Sequence, residues 1–371
     1  MQFKKNEYLE WMVKMWARPL AAQLADSGMA PPKIEELGFK AEQLSFYSAE
    51  RTDAPDRARE LLGKRYGLPP EKILLAVGCS GANFFAASAL LNPGDEALLE
   101  RPVYEPLLRV VEACGANVRF VDRRPENDFD LFPEDLEKTI TRKTKLVFIT
   151  NMHNPTGRRI SPGQMKAMGE IAARRGAYVI VDEIYLEFLR CAERADMPTK
   201  IPSGAALHEN IMATSGFSKV YGIAGPRLGW VLGNAEVLKR AYDVIRGAIG
   251  QYATTSVNIL NVVLEKEAYL RERTLRLMGG RMEMVRRWCE SRGDLKFIPP
   301  AGSGICFVGL PAGVDSMRFC ERLIEEYKTL IVPGDFYLAP GYVRVSALPP
   351  EDAIEVGLAN ASALLDKMKE A

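Results

Sequence analysis

Apolar, β-branched runs alternate with segments of helical period through the middle of the chain. Strands are predicted over residues 72–77, 96–99, 117–121, 145–150, 178–181, 211–215 and 230–233, where such runs are bounded by turn-forming residues. Helices are predicted between them, including 82–91, 104–114 and 164–175. The last has a start signal, Ser161 as N-cap with Pro162 at the first helical position. Strand–helix–strand alternation argues a mostly parallel sheet covered by helices on both faces. After about Ala241 the pattern turns helical, with a long helical region over roughly 256–292. A final α/β portion follows, with strands at 305–310, 330–333 and 343–346 and helices at 316–327 and 351–369. The N-terminal MQFKKNEYLEWMVKMW reads as an amphipathic helix covering a core. The chain is therefore expected to be α/β, with a large unit of seven strands at 45–270 and a smaller α/β unit formed by 1–44 and 271–371.

The length of 371 residues agrees with two units rather than one simple core. A net charge near +1 gives no reason to expect a nucleic-acid surface or a polybasic membrane patch. No apolar run reaches the length of a membrane span, and the N-terminus lacks the apolar stretch of a signal peptide. Six scattered cysteines with no C-x-x-C pair read as reduced, mostly buried thiols, so a cytoplasmic location is expected. Only two histidines occur, His153 and His208, which excludes a histidine-rich zinc site and leaves few residues for a Ser–His–Asp triad. Chemistry must come mainly from Lys, Tyr, Asp, Arg or a cofactor.

The segment Ser215-Gly-Phe-Ser-Lys219-Val-Tyr-Gly-Ile-Ala-Gly-Pro-Arg227-Leu-Gly229 fits that requirement. A lysine follows a predicted strand among small residues, and an arginine comes eight positions later in a glycine-rich turn. Such a lysine can form an imine with an aldehyde cofactor. Ser218 and Arg227 can bind its phosphate, Arg227 through a bidentate fork. The small residues let the backbone approach closely.

This segment resembles the cofactor-lysine motif of class I/II aminotransferases, the fold-type I enzymes that use pyridoxal 5′-phosphate (PLP). The family's other motifs follow in the family's order. Gly78-Cys79-Ser80-Gly81 stands between a strand and a helix, where exposed N–H groups make an anion site; the resemblance implies phosphate binding at Cys79 and Ser80. Tyr104, after Arg101-Pro102-Val103, would stack on the cofactor ring, although a core tyrosine reads the same way alone. In Asn151-Met-His-Asn154-Pro-Thr-Gly157 the resemblance implies a hydrogen bond from Asn154 to the cofactor's phenolic oxygen. Met152 replaces the common proline, and His153 falls at a variable position, structural or facing solvent. Asp182, in Val181-Asp-Glu-Ile-Tyr185, would hold the ring nitrogen protonated, and Tyr185 would donate to the phenolic oxygen. By itself such an aspartate could equally be a metal ligand or a helix cap. Arg344, in Tyr342-Val-Arg-Val-Ser346, would grip the substrate carboxylate. Tyr47 stands where family members send a tyrosine across a dimer interface, but the usual glycine-rich pattern is replaced by Tyr47-Ser-Ala-Glu-Arg. Leu24-Ala-Asp-Ser-Gly28 stands at the family's substrate-facing loop, which assigns Gly28 to substrate binding.

The resemblance implies a homodimer that moves an amino group from an α-amino acid to a 2-oxo acid through a Schiff base on Lys219. C–S lysis, decarboxylation and cyclisation use the same lysine, aspartate and tyrosine, and fold alone does not choose among them. A non-enzymatic PLP-binding regulator is the reading from another class. A nicotinamide enzyme is rejected because Gly78–Gly81 lacks the G-x-G-x-x-G spacing.

Overall fold

The computed structural model describes residues 2–193 and 200–369. A two-residue strand, β1 (Ala22–Gln23), precedes the main sheet. The main sheet comprises β2 (Ile73–Val77), β3 (Glu96–Arg101), β4 (Asn117–Asp122), β5 (Thr144–Thr150), β6 (Tyr178–Asp182), β7 (Ile211–Ser215) and β8 (Leu228–Leu232). They lie in the order β2-β8-β7-β6-β5-β3-β4. Only β8 runs against its neighbours; the other pairings are parallel. Parallel neighbours need crossover connections, and helices supply them on both faces. The period-two pattern explains why both faces are covered. Val179 and Val181 of β6 enter one core with Leu62, Val147 and Trp230, while Ile180 between them enters the other with Ala86, Phe148 and Val231. The chain is thus α/β, with the seven-stranded, mostly parallel sheet and a smaller second sheet. The parallel strands deliver their carboxyl ends to one edge, where ligands of open α/β sheets collect.

The second sheet is antiparallel, in the order β12-β13-β10-β9, from β9 (Lys296–Ile298), β10 (Ile305–Gly309), β12 (Val332–Pro333) and β13 (Tyr342–Ser346). The run expected as one strand at 330–333 is divided. β11 (Thr329–Leu330) pairs with β1, and β12 pairs with β13, so Ile331 is the pivot between two sheets. One face of the second sheet packs Cys306, Val308, Val343 and Val345 against helices Arg281–Arg292, Ser316–Tyr327 and Glu351–Lys369. The other face receives Tyr8, Met12 and Met15 of the N-terminal helix Glu7–Trp16, which pack with Ile298, Phe307 and Val332. The expected helical region over roughly 256–292 comprises three helices, Thr254–Glu265, Glu267–Met278 and Arg281–Arg292. Gly279-Gly280 makes the second break, with Gly280 in the left-handed region at φ 74°.

Candidate active site

A cavity of about 170 Å³ opens at the carboxyl ends of the parallel strands, between the main sheet and the second one. Ten of the twelve site residues expected from sequence line it: Cys79, Ser80, Tyr104, Asn154, Asp182, Tyr185, Ser218, Lys219, Arg227 and Arg344.

Helix Gly78–Leu90 begins directly at the end of β2, and its N-cap Val77 offers no side-chain acceptor. Beyond Gly78, its first-turn N–H groups are available to an anion, and the helix dipole adds to their pull. Arg227 lies over this turn. Its carbonyl accepts from Gly78 N at 2.9 Å, and a Cβ at Gly78 would fall 2.5 Å from its Nη2. Gly78 sits at φ 69°, a torsion that favours glycine, and a larger residue there would push the Arg227 guanidinium aside. Together with the Ser80 and Ser218 hydroxyls, this arrangement can cradle a phosphate.

Asp182 ends β6 and is buried. Its Oδ2 accepts from Asn83 Nδ2 at 2.7 Å, and its Oδ1 from Ile184 N at 3.0 Å and Cys79 Sγ at 3.4 Å. Burial pushes its carboxyl up from the usual range, and these donors oppose the shift. The Cys79 thiol, pushed up by burial and then by Asp182, faces the carboxylate, so its side chain as well as its backbone borders the cavity.

Lys219 donates from Nζ to Ser27 Oγ at 2.9 Å. Burial lowers its ammonium, and the nearby Arg344 cation acts in the same direction. A lysine so placed releases its proton more readily than a solvated one. Its carbonyl accepts from Met29 N at 2.8 Å, and a Cβ at Gly28 would stand 3.0 Å from Ser218 O. Gly28 therefore packs on the backbone beneath the lysine, while its neighbour Ser27 faces the cavity.

Arg344, on β13, is fully buried. Nη1 donates to Asn154 Oδ1 at 3.2 Å, and Nη2 donates to Ala25 O at 2.7 Å and Tyr8 OH at 3.2 Å. Among the described residues, its Nε and the Tyr337 hydroxyl have no partner, so the guanidinium retains capacity for an incoming acceptor. Tyr8 also sets its ring against Tyr104 at 5.8 Å and 74°. Burial raises the Tyr104 and Tyr185 hydroxyls above the usual phenol range, which keeps both protonated as donors.

The chain belongs to the class I and II aminotransferases. The family model for "Aminotransferase class I and II" matches residues 40–359. An aspartate aminotransferase of Thermotoga maritima is 28% identical over 300 residues, 77% of this chain and 74% of that protein. An arginine–pyruvate transaminase of Pseudomonas aeruginosa is 28% identical over 286 residues, 74% and 70% of the two chains. The crystal structure of a PLP-dependent aminotransferase from Streptococcus suis superposes with a TM-score of 0.86 at 25% identity, covering 99% of each chain.

Two expected residues of this aminotransferase stand apart from the cavity lining. Gly28 acts beneath it, as above. Tyr47 is 71% exposed, and its carbonyl accepts from Thr254 Oγ1 at 2.5 Å. His153 is not solvent-facing but fully buried, bonded to Pro102 O at 2.9 Å and Thr156 Oγ1 at 2.7 Å. The Asn151–Met152 peptide beside it is cis. Sequence reasoning missed Tyr8, Ser27, Asn83 and Thr150, which also line the cavity. Asn83 left a faint signal as a carboxamide four positions after Cys79, flanked by Ala82, Phe84 and Phe85.

Proposed function

We propose that this aminotransferase binds PLP through Lys219 and moves an amino group from an α-amino acid to a 2-oxo acid. The observation that carries the reading is the meeting, in one cavity, of a half-buried amine, a buried carboxylate and a buried guanidinium from three separate elements. The residues suit PLP: a glycine-lined turn under Arg227 for a phosphate, Asp182 for a ring nitrogen, and Lys219 for an aldehyde. Bound PLP supplies the aldehyde that exchanges amines and a protonated ring that accepts the electron pair released at the substrate's Cα.

The protein's own groups then have these roles. The first turn of helix Gly78–Leu90, with Ser80, Ser218 and Arg227, holds the phosphate. Asp182, whose donors oppose the upward shift that burial causes, would hold a proton on the ring nitrogen. Tyr185 and Asn154 donate to the phenolic oxygen, and Tyr104 covers the ring face. Arg344 binds the substrate carboxylate and so orients the Cα–H bond toward Lys219. Lys219 Nζ removes that proton, and in the second half-reaction returns one to Cα of the acceptor.

We further divide the chain into a large unit at 45–270 and a smaller one at 1–44 and 271–371. Helix Glu267–Met278, whose Leu270 packs in the large core, crosses that boundary. We place the protein in the cytoplasm, since all six cysteines are buried and free. No described helix is long and apolar enough to cross a membrane. We also propose a homodimer in which Tyr47 reaches the neighbouring phosphate site; the exposed run of Leu44, Phe46 and Tyr47 supports it.

The test is the absorbance of the purified protein with PLP. A visible band absent from Lys219→Ala, lost on adding amino acids and regained with 2-oxo acids, is the expected result. Ammonia, carbon dioxide or sulfide release without an acceptor would replace transamination by another reaction on the same cofactor. No lysine-dependent band would overturn the cofactor assignment.

A further inference from the structure

We propose that Asn83 is a positioning residue for the cofactor chemistry, fixing the rotation and charge of the Asp182 carboxylate through an amide that Thr214 braces from the far side. The inference rests on the reading above that Asp182 meets the cofactor's ring nitrogen.

Asn83 lies in the second turn of helix Gly78–Leu90, four residues after Cys79, so both side chains leave the same face. Its helix neighbours Ala82, Phe85, Ala86 and Ala87 pack in the core. Asn83 is itself 3% exposed. A carboxamide at such a position is costly unless both its ends are bonded. Both are. Nδ2 donates to Asp182 Oδ2 at 2.7 Å, and Oδ1 accepts from Thr214 Oγ1 on the neighbouring strand β7.

The direction of this relay follows from chemistry. The two ends of a carboxamide have nearly the same shape, so hydrogen bonding decides which way it points. A flipped Asn83 would set its oxygen against a carboxylate oxygen, two acceptors facing each other. The acceptor-only carboxylate therefore holds Nδ2 toward itself, and the Thr214 hydroxyl donates to the Oδ1 left on the far side. The relay therefore runs one way, Thr214 to Asn83 to Asp182. Ile184 N and Cys79 Sγ occupy the other carboxylate oxygen. The carboxylate is thereby aimed before any ligand enters. Burial favours its protonated form, and Asn83 is the foremost of the groups opposing that. The titratable or charged groups facing Asp182 are Cys79 from the helix, Lys219 from the loop after β7, and Tyr104 and Tyr185 across the cavity.

The experiment compares Asn83→Leu, Thr214→Val, the double variant and Asp182→Asn, each made as the full chain. Two readouts are taken, the dissociation constant for PLP and the pH dependence of the bound cofactor's absorbance. Loss of a donor to a charged group should weaken PLP binding about tenfold in Asn83→Leu and shift the absorbance titration. Thr214→Val should act in the same direction, more weakly. Thr214 also hydrogen-bonds the Cys79 thiol, so the double variant should be less impaired than the sum of the two single variants, the shared part running through Asn83. A merely structural asparagine would lower the melting temperature and leave both readouts unmoved. Asn83→Leu within twofold of the parent, with Asp182→Asn impaired, overturns the inference. An unimpaired Asp182→Asn instead overturns the assignment beneath it. Should Asn83→Leu fail to fold, Thr214→Val decides: an unchanged dissociation constant and titration there refute the relay.

Discussion

Replacing Gly229 by alanine adds one methyl group to β8 where that strand passes beneath the Gly78 turn. An ideal Cβ there would lie 2.3 Å from the Gly78 carbonyl carbon, 2.5 Å from its oxygen and 2.7 Å from Cys79 N. Ordinary contact begins at 3.4 Å, so strand and turn must separate by about 1 Å. All three obstructing atoms are backbone and cannot swing aside as a side chain could. The strain should destabilise the cofactor-free protein by about 1–3 kcal/mol, the usual range for overpacking. It also falls on the Gly78–Cys79 peptide, which carries the Cys79 N–H. A displacement of about 1 Å takes a hydrogen bond beyond effective range, and one bond to a charged phosphate is worth about 1.5–3 kcal/mol. The PLP dissociation constant should therefore rise about 10- to 100-fold. Titration of the cofactor-free protein with PLP, alongside its thermal melting, measures both effects. Gly225→Ala is the control, because a Cβ there meets nothing within 4 Å. If Gly229→Ala binds PLP within twofold of the parent and melts within about 1 °C of it, the steric argument for the turn is wrong.

Arg344→Gln should lower kcat/KM for the amino-acid half-reaction on the order of 100-fold through loss of the charged fork, while leaving PLP affinity within about threefold; single-turnover rates and a PLP titration check this. His153 should make folding pH-dependent. Burial, then the Arg123 cation, hold its imidazole well below the ordinary value near 6.5. Below about pH 6.5 the unfolded chain takes up a proton that the folded chain refuses, so stability falls with pH by up to about 1.4 kcal/mol per unit. The drop in melting temperature between pH 7.5 and 5.5 should be smaller in His153→Gln than in the parent, and an equal drop would refute this.

What was legible in the sequence is what the chain encodes locally. Ser215–Gly229, Gly78–Gly81 and Asn151–Gly157 are turns at strand ends, where small residues, charged groups and strand signals lie within a few positions of one another. The strands of the main sheet could be read because each is five to seven residues long and flanked by helical period. β1 and β11 could not, since two residues carry no period and each strand exists only through the other. Tyr8 was hidden for a related reason. Its helix is locally amphipathic, but the residues that aim it are remote: Glu105 accepts from the backbone N–H groups of Glu7 at 3.1 Å and Tyr8 at 2.7 Å. Those bonds satisfy orphan donors of the helix start and turn the Tyr8 hydroxyl to Arg344.

The same distinction explains how two groups far apart in sequence, Lys219 and Arg344, are held at one working separation. Neither approaches the other through its own element. The stretch 22–29 joins them. Leu24 N donates to Leu330 O and Leu24 O accepts from Ser346 N, each at 2.8 Å, which ties the stretch to both sides of β13's neighbourhood. Ala25 O then takes the Arg344 guanidinium, Ser27 Oγ the Lys219 amine, and Met29 N the Lys219 carbonyl. Within five residues, one segment thus contacts the proposed carboxylate grip and both the side chain and the backbone of the proposed base. Its short side chains follow from that crowding: a Cβ at Gly28 would already stand 3.0 Å from Ser218 O. The sequence marks this stretch only weakly because, of the bonds that join it to Lys219 and Arg344, all but that of Ser27 Oγ come from its backbone atoms.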